Sequence, residues 1–103
     1  MAELVVRSKV SDFVKSLEKK SKTRTLKLLL LLEKHGHELR EPHTKKLSGK
    51  LFELRARGQQ EVRLIFCYKD NKIFVLTGFV KKTQQTPRSE IERAERDLKL
   101  LDI

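Results

Sequence analysis

Leu51-Phe52-Glu53-Leu54-Arg55-Ala56-Arg57 is the stretch whose reading decides the fold, because apolar and charged residues alternate along it. Successive side chains of a strand point to opposite faces. Phe52, Leu54 and Ala56 therefore share one side of a half-buried strand, and Glu53, Arg55 and Arg57 share the other. The run Val62–Tyr68 repeats the pattern: Val62, Leu64, Phe66 and Tyr68 are separated from Arg63, Ile65 and Cys67. Asp70-Asn71 supplies a tight hairpin turn. The strand that follows, Ile73–Val80, is apolar on both faces, which suits a central or doubly covered position.

Upstream of these strands the period changes. Leu4-Val5-Val6 is a short β-type run, and Ser8 is placed to cap a helix whose Val10, Phe13, Val14 and Leu17 fall at i, i+3, i+4, i+7. The polar bridge KKSKTRT at 19–25 leads to a second helix through Leu26 and the leucines at 28–32, with Gly36 at the left-handed C-cap. That makes a helical hairpin. The segment 37–49, with Pro42 and Ser48-Gly49, reads as a loop. Downstream, Thr86 is placed as cap and Pro87 in the first turn of a final helix with the stripe Ile91, Ala94, Leu98 and Leu101. The order is β-α-α-β-β-β-α. This predicts an α+β fold: a small twisted antiparallel sheet, two N-terminal helices packed on one face, and a C-terminal helix.

A length of 103 residues with no repeat or linker predicts a single domain over residues 1–103. The leucine-rich stretch is interrupted by Lys27 and far shorter than the roughly 20 apolar residues of a membrane span, so no membrane partner is expected. The N-terminus MAELVVRSKV puts Glu3 where a secretory signal needs basic residues, and Cys67 is the lone cysteine. Both point to the reducing cytoplasm.

The charge is 24 Lys+Arg against 14 Asp+Glu, a formal +10. Such a field attracts polyanions. Its placement is more telling than its size. Lys45, Lys46, Lys50, Arg55, Arg57 and Arg63 stand against Glu53 and Glu61, and Lys81 and Lys82 leave the end of the last strand. Guanidinium forks along a sheet make an electrostatic track for a phosphate backbone. Alternating strand charges are equally the ordinary solvated face of a sheet. His35, His37 and His43 have no ligand spacing, so no metal is expected. There is no nucleotide-binding glycine loop and thus no small-molecule cofactor. Cys67 reads as a buried thiol.

FVKKTQQTPRSEIERAERDL at 79–98, LFELRAR at 51–57, VRLIF at 62–66 and REPHTKKLSGK at 40–50 together resemble the HigB-like branch of the RelE/ParE toxin superfamily. The resemblance spans Val10 to Leu101 and implies a RelE-like fold. It also implies the toxin half of a toxin–antitoxin pair, an endoribonuclease acting on mRNA in the ribosomal A site, arresting translation and growth. The implied reaction is metal-free: the ribose 2′-OH attacks the adjacent phosphate, leaving a 2′,3′-cyclic phosphate and a 5′-OH. One group must accept the 2′-proton, cations must stabilise the phosphorane, and one group must protonate the leaving oxygen.

By motif position Arg63 matches the phosphate-stabilising arginine, and Lys82 lies at or beside the acid or second phosphate-binding cation. Glu53 and Arg55 stand where RelE has a lysine pair serving as base. An arginine is a poor proton acceptor. Glu53 is then the candidate base and His43 the runner-up, with Lys45, Lys46, Lys50, Arg57 and Lys81 as RNA-binding residues. The expected partner is a cognate helix-turn-helix antitoxin. Two readings compete with the nuclease: a ParE-like toxin that binds DNA gyrase without cutting RNA, and a non-catalytic RNA-binding relic.

Overall fold

A computed structural model describes residues 3–101. Its elements are β1 (Glu3–Val6), α1 (Ser8–Lys15), α2 (Lys19–His35), a 3-10 turn (Gly36–Glu38), β2 (Thr44–Ser48), β3 (Leu51–Ala56), β4 (Val62–Lys69), β5 (Lys72–Val80) and α3 (Arg88–Leu101). The sheet order is β1-β5-β4-β3-β2. β2 through β5 form an antiparallel meander, and β1 adds in parallel along β5. The β4–β5 turn has both Asp70 and Asn71 at positive φ, 51° and 63°, the signature of a type I′ hairpin.

The sheet is covered on both faces. On one, α1 and α2 bury Val10, Val14, Leu28, Leu29 and Leu32 against Leu54, Val62, Leu64, Phe66 and Val75. On the other, α3 sets Ile91, Ala94, Leu98 and Leu101 against Leu51, Ile65, Cys67, Leu76 and Phe79. Each fully buried large side chain contributes on the order of 1.5–3 kcal/mol. β5 is doubly covered, by α1 and α3, which is why its sequence is apolar on both sides. Asp97 of α3 pairs with Arg7 at 2.8 Å and Lys9 at 3.0 Å, anchoring this helix to the start of α1.

Four expectations need correction. The segment 37–49 is not all loop: Thr44–Ser48 pairs with β3 as an edge strand, with a bulge between Lys46 and Ser48. Charges along an edge keep other strands off it, and that same polarity hides the strand from an apolar-period reading. The bridge KKSKTRT is helical. Ser21 and Thr25 lie buried on the stripe that continues through Leu28, Leu29 and Leu32, while Leu26, Leu30 and Leu31 face outward. Ser8 is the first residue of α1, whose N-cap is Arg7. Finally, the first bonds of α3 run from the Glu90 and Ile91 N–H groups to the Pro87 carbonyl, so Thr86 is not its cap.

Candidate functional site

Register brings the charged residues together. Lys45 of β2 stands opposite Glu53, Arg55 of β3 opposite Arg63 of β4, and Arg63 opposite Phe79 of β5. All lie on the α3 side of the sheet, where the helix covers only the apolar half. The other half carries an ionic cluster, over which the junction from Lys81 to Pro87 folds before entering α3.

Glu53 is the centre of that cluster and is 0% exposed. Its Oε1 accepts a hydrogen bond from Arg55 Nε at 3.1 Å and lies 3.6 Å from Arg63 Nε. Its Oε2 accepts from the Thr86 hydroxyl. Arg63, 3% exposed, donates from Nη1 to the Val62 carbonyl at 3.0 Å and from Nη2 to Glu61 Oε1 at 3.1 Å. Its Nε makes no hydrogen bond. A carboxylate held between two guanidinium groups orients them. Both of its oxygens are thus engaged by neighbouring donors.

The β3–β4 loop completes the frame. Glu61 accepts from the Gly58 N–H at 3.0 Å. That bond first, together with the charges of Arg63 and Arg57, lowers its carboxyl pKa from the ordinary 4.5 despite some desolvation. The Glu61 carbonyl in turn accepts from the Lys81 N–H at 2.7 Å. This fixes Lys81 beside the cluster. Partial burial, with the charges of Arg63, Arg55 and Lys45, holds its ammonium pKa below 10.5, and Glu53 partly offsets them.

A depression of about 240 Å³ opens over these groups, lined by Lys45, Lys46, Arg55, Lys81, Gln85 and Thr86 among others. Its reachable cations are Lys45, Lys46, Arg55 and Lys81. Arg63 lies beneath them.

The expected site residues divide accordingly. Glu53, Arg55 and Arg63 form one cluster, and Lys45, Lys46 and Lys81 gather over it. Glu53 and Arg63 are buried rather than on the solvated face that alternation implied, because α3 and its preceding junction cover that side. Lys82 is exposed next to Lys81 and does not line the depression. Lys50 sits in the β2–β3 turn, at the far end of β3 from Arg55. Arg57, just past β3, lines a separate cavity with Arg24, Lys27, Leu28, Pro42 and His43. Arg55 reaches both cavities. His43 is exposed, and its carbonyl accepts from the Arg55 N–H at 2.8 Å.

Sequence reasoning missed Thr86 and Glu61 as members of the cluster. Thr86 was hidden by its place in a Thr-Pro helix signal. Glu61 carried one usable sign, its position two residues before Arg63, just ahead of β4. Among the described residues no group of three or more His, Cys, Asp or Glu could hold a metal ion, and no helix is long and apolar enough to cross a membrane.

The fold has known counterparts. A double arginine mutant of E. coli toxin RelE in the free state superposes with a TM-score of 0.67 at 18% identity, covering 93% of this chain and 98% of that one. A chain of the archaeal RelE–RelB complex from Pyrococcus horikoshii gives 0.54 at 25% identity, over 77% and 93%. A copper-bound mutant toxin from Helicobacter pylori gives 0.52 at 17%, over 78% and 94%. The fold is RelE-like. No protein of curated function matches the sequence. The profile of the family described as phage-derived protein Gp49-like (DUF891) matches residues 12–99, nearly the whole of the sheet and its helices, and the chain belongs to that family.

Proposed function

We propose that this protein is the toxin of a toxin–antitoxin pair, of the HigB-like branch of the RelE superfamily, and that it cuts mRNA in the ribosomal A site. The observation that carries the reading is the buried Glu53 carboxylate holding Arg55 and Arg63, with Lys81 and Lys45 gathered over them. A buried ionic frame that presents an arginine and two lysines at an open depression suits a scissile phosphodiester.

The roles follow from exposure. Arg55 and Lys45 contact the phosphate and stabilise charge on the phosphorane. Glu53 and Arg63 are positioning residues, which moves the base role away from Glu53. Lys81, whose amine loses its proton more readily than a free lysine, takes the 2′-proton as the ribose oxygen attacks phosphorus. The P–O5′ bond then breaks, and the departing 5′-oxygen takes a proton from solvent, because Lys82, the expected acid, stands outside the depression. Lys46, Lys50 and Arg57 guide the flanking strand. The archaeal RelE–RelB complex supports an antitoxin partner, and a helix-turn-helix protein is the form proposed.

The test is primer extension on a reporter message after induction in cells. Breaks at codon-defined positions that vanish when translation is blocked, and vanish with Arg55→Ala, are expected. Intact message beside gyrase-linked DNA breaks would replace this reading with the ParE-like one.

A further inference from the structure

Across the β2 edge from the Glu53 cluster lies a second concavity, of about 310 Å³, on the helical-hairpin side of the sheet. As the chain leaves α2 through the 3-10 turn, it lays the imidazole of His37 on the phenol ring of Tyr68. The ring centroids are 3.6 Å apart and the planes 23° from parallel. Phe52 and Phe66 brace Tyr68 edge-on from below, at 5.4 and 5.6 Å. Burial raises the phenol pKa above its usual 10.0, so the ring is neutral in any physiological buffer.

His37 itself remains exposed. Arg40, Lys45 and Lys46 share the wall with it, as does one acid, Glu41. Lys45 and Lys46 also line the depression beside Arg55. A polyanion lying across β2 thus meets cations on both sides of the strand. An oriented, exposed aromatic face flanked by cations is what an unpaired nucleobase and its neighbouring phosphates require. An acidic peptide would engage the cations and leave the rings idle.

We propose that His37 and Tyr68 form a base-stacking platform for single-stranded RNA, with one unpaired base on His37 and the adjoining phosphates on Arg40 and Lys46. This rests on the RNA reading above and adds to it a contact point across β2 from the reacting phosphate.

Tyr68 is the only tyrosine and the chain has no tryptophan, so tyrosine emission reports the surroundings of this one ring. The full chain is titrated with a short single-stranded oligoribonucleotide and, as the charge control, an abasic ribose-phosphate oligomer of equal length. Base-bearing RNA should quench Tyr68 and the abasic strand should not. His37→Ala should weaken binding of the base-bearing strand by about fivefold or more, the low end of what one stacked base contributes. It should leave the abasic strand's affinity unchanged, and His37→Phe should restore stacking. Tyr68 emission indifferent to RNA, equal affinity for both strands, or no RNA binding at all overturns the platform. The emission result needs no variant, so a poorly folding His37→Ala does not blunt it.

The two readings separate cleanly. Translation-dependent cutting without quenching removes the platform and keeps the nuclease. Quenching with His37 dependence beside uncut message keeps the platform and removes the nuclease.

Discussion

Glu53 is a carboxylate whose burial is tolerable only because of the company it keeps. Removing one member of a buried ion pair leaves an uncompensated charge, at a cost on the order of 3–5 kcal/mol. Glu53→Ala abandons Arg63, 3% exposed, with only Glu61 to answer it, and urea unfolding at neutral pH should register a loss in that range. Glu53→Gln keeps an acceptor for Arg55 and a group for Thr86, so its loss should be distinctly smaller. A Glu53→Ala cost below about 1 kcal/mol, the worth of an exposed pair, would remove the clamp from the account.

Lys81 has the opposite character, a cation made less comfortable as a cation. Burial first, then Arg63, Arg55 and Lys45, favours its neutral amine, and only the neutral amine accepts a proton. The rate of RNA cutting in single turnover should therefore rise with pH and level off below 10.5. Lys81→Arg, which stays charged, should lose the rising limb. A flat profile in the unaltered chain takes Lys81 out of the proton transfer.

Among the elements, Gly78 shows how closely α1 packs on β5. A methyl group there would lie 2.7 Å from Leu64 Cδ2 and 2.7 Å from Phe13 Cδ2, the first buried and the second half-buried against the core, so overpacking of Gly78→Ala should cost about 1–3 kcal/mol. Gly58→Ala meets only the tip of the Arg24 side chain, which can swing aside, and thermal unfolding of the two variants should separate them by several degrees. Equal midpoints would mean that α1 yields freely.

The same contrast between interior and edge explains what the sequence made legible. β3, β4 and β5 each alternate or stay apolar over six residues or more, and α3 carries its stripe from Ile91 to Leu101, so local period sufficed. β2 has no apolar period because it is an edge, and the first turns of α2 bury small polar residues, Ser21 and Thr25, where a leucine was the expected sign. The basic convergence at the site was likewise legible from strand parity. The burial of Glu53 and Arg63 was not, because it depends on Thr86, 33 residues further along, and on which face α3 chooses.

At the scale of the whole molecule, a formal +10 on 103 residues is spread over several surfaces, and total charge alone says little about which cations meet RNA. The salt dependence of affinity counts them. Neutralising Z phosphates of a single strand gives a slope of about −0.7Z in log K against log salt. If the reachable cations of the two concavities, Arg40, Lys45, Lys46, Arg55 and Lys81, each displace one counterion, they contribute about −3.5 to the slope, or roughly a hundredfold loss between 50 and 200 mM salt. Lys46→Ala, on the strand between the two, should make the slope shallower by about 0.7, whereas charge removal at Lys20, on the outward side of α2, should leave it unchanged. Equal effects of both substitutions would mean that RNA is held by the general field of the protein rather than along β2.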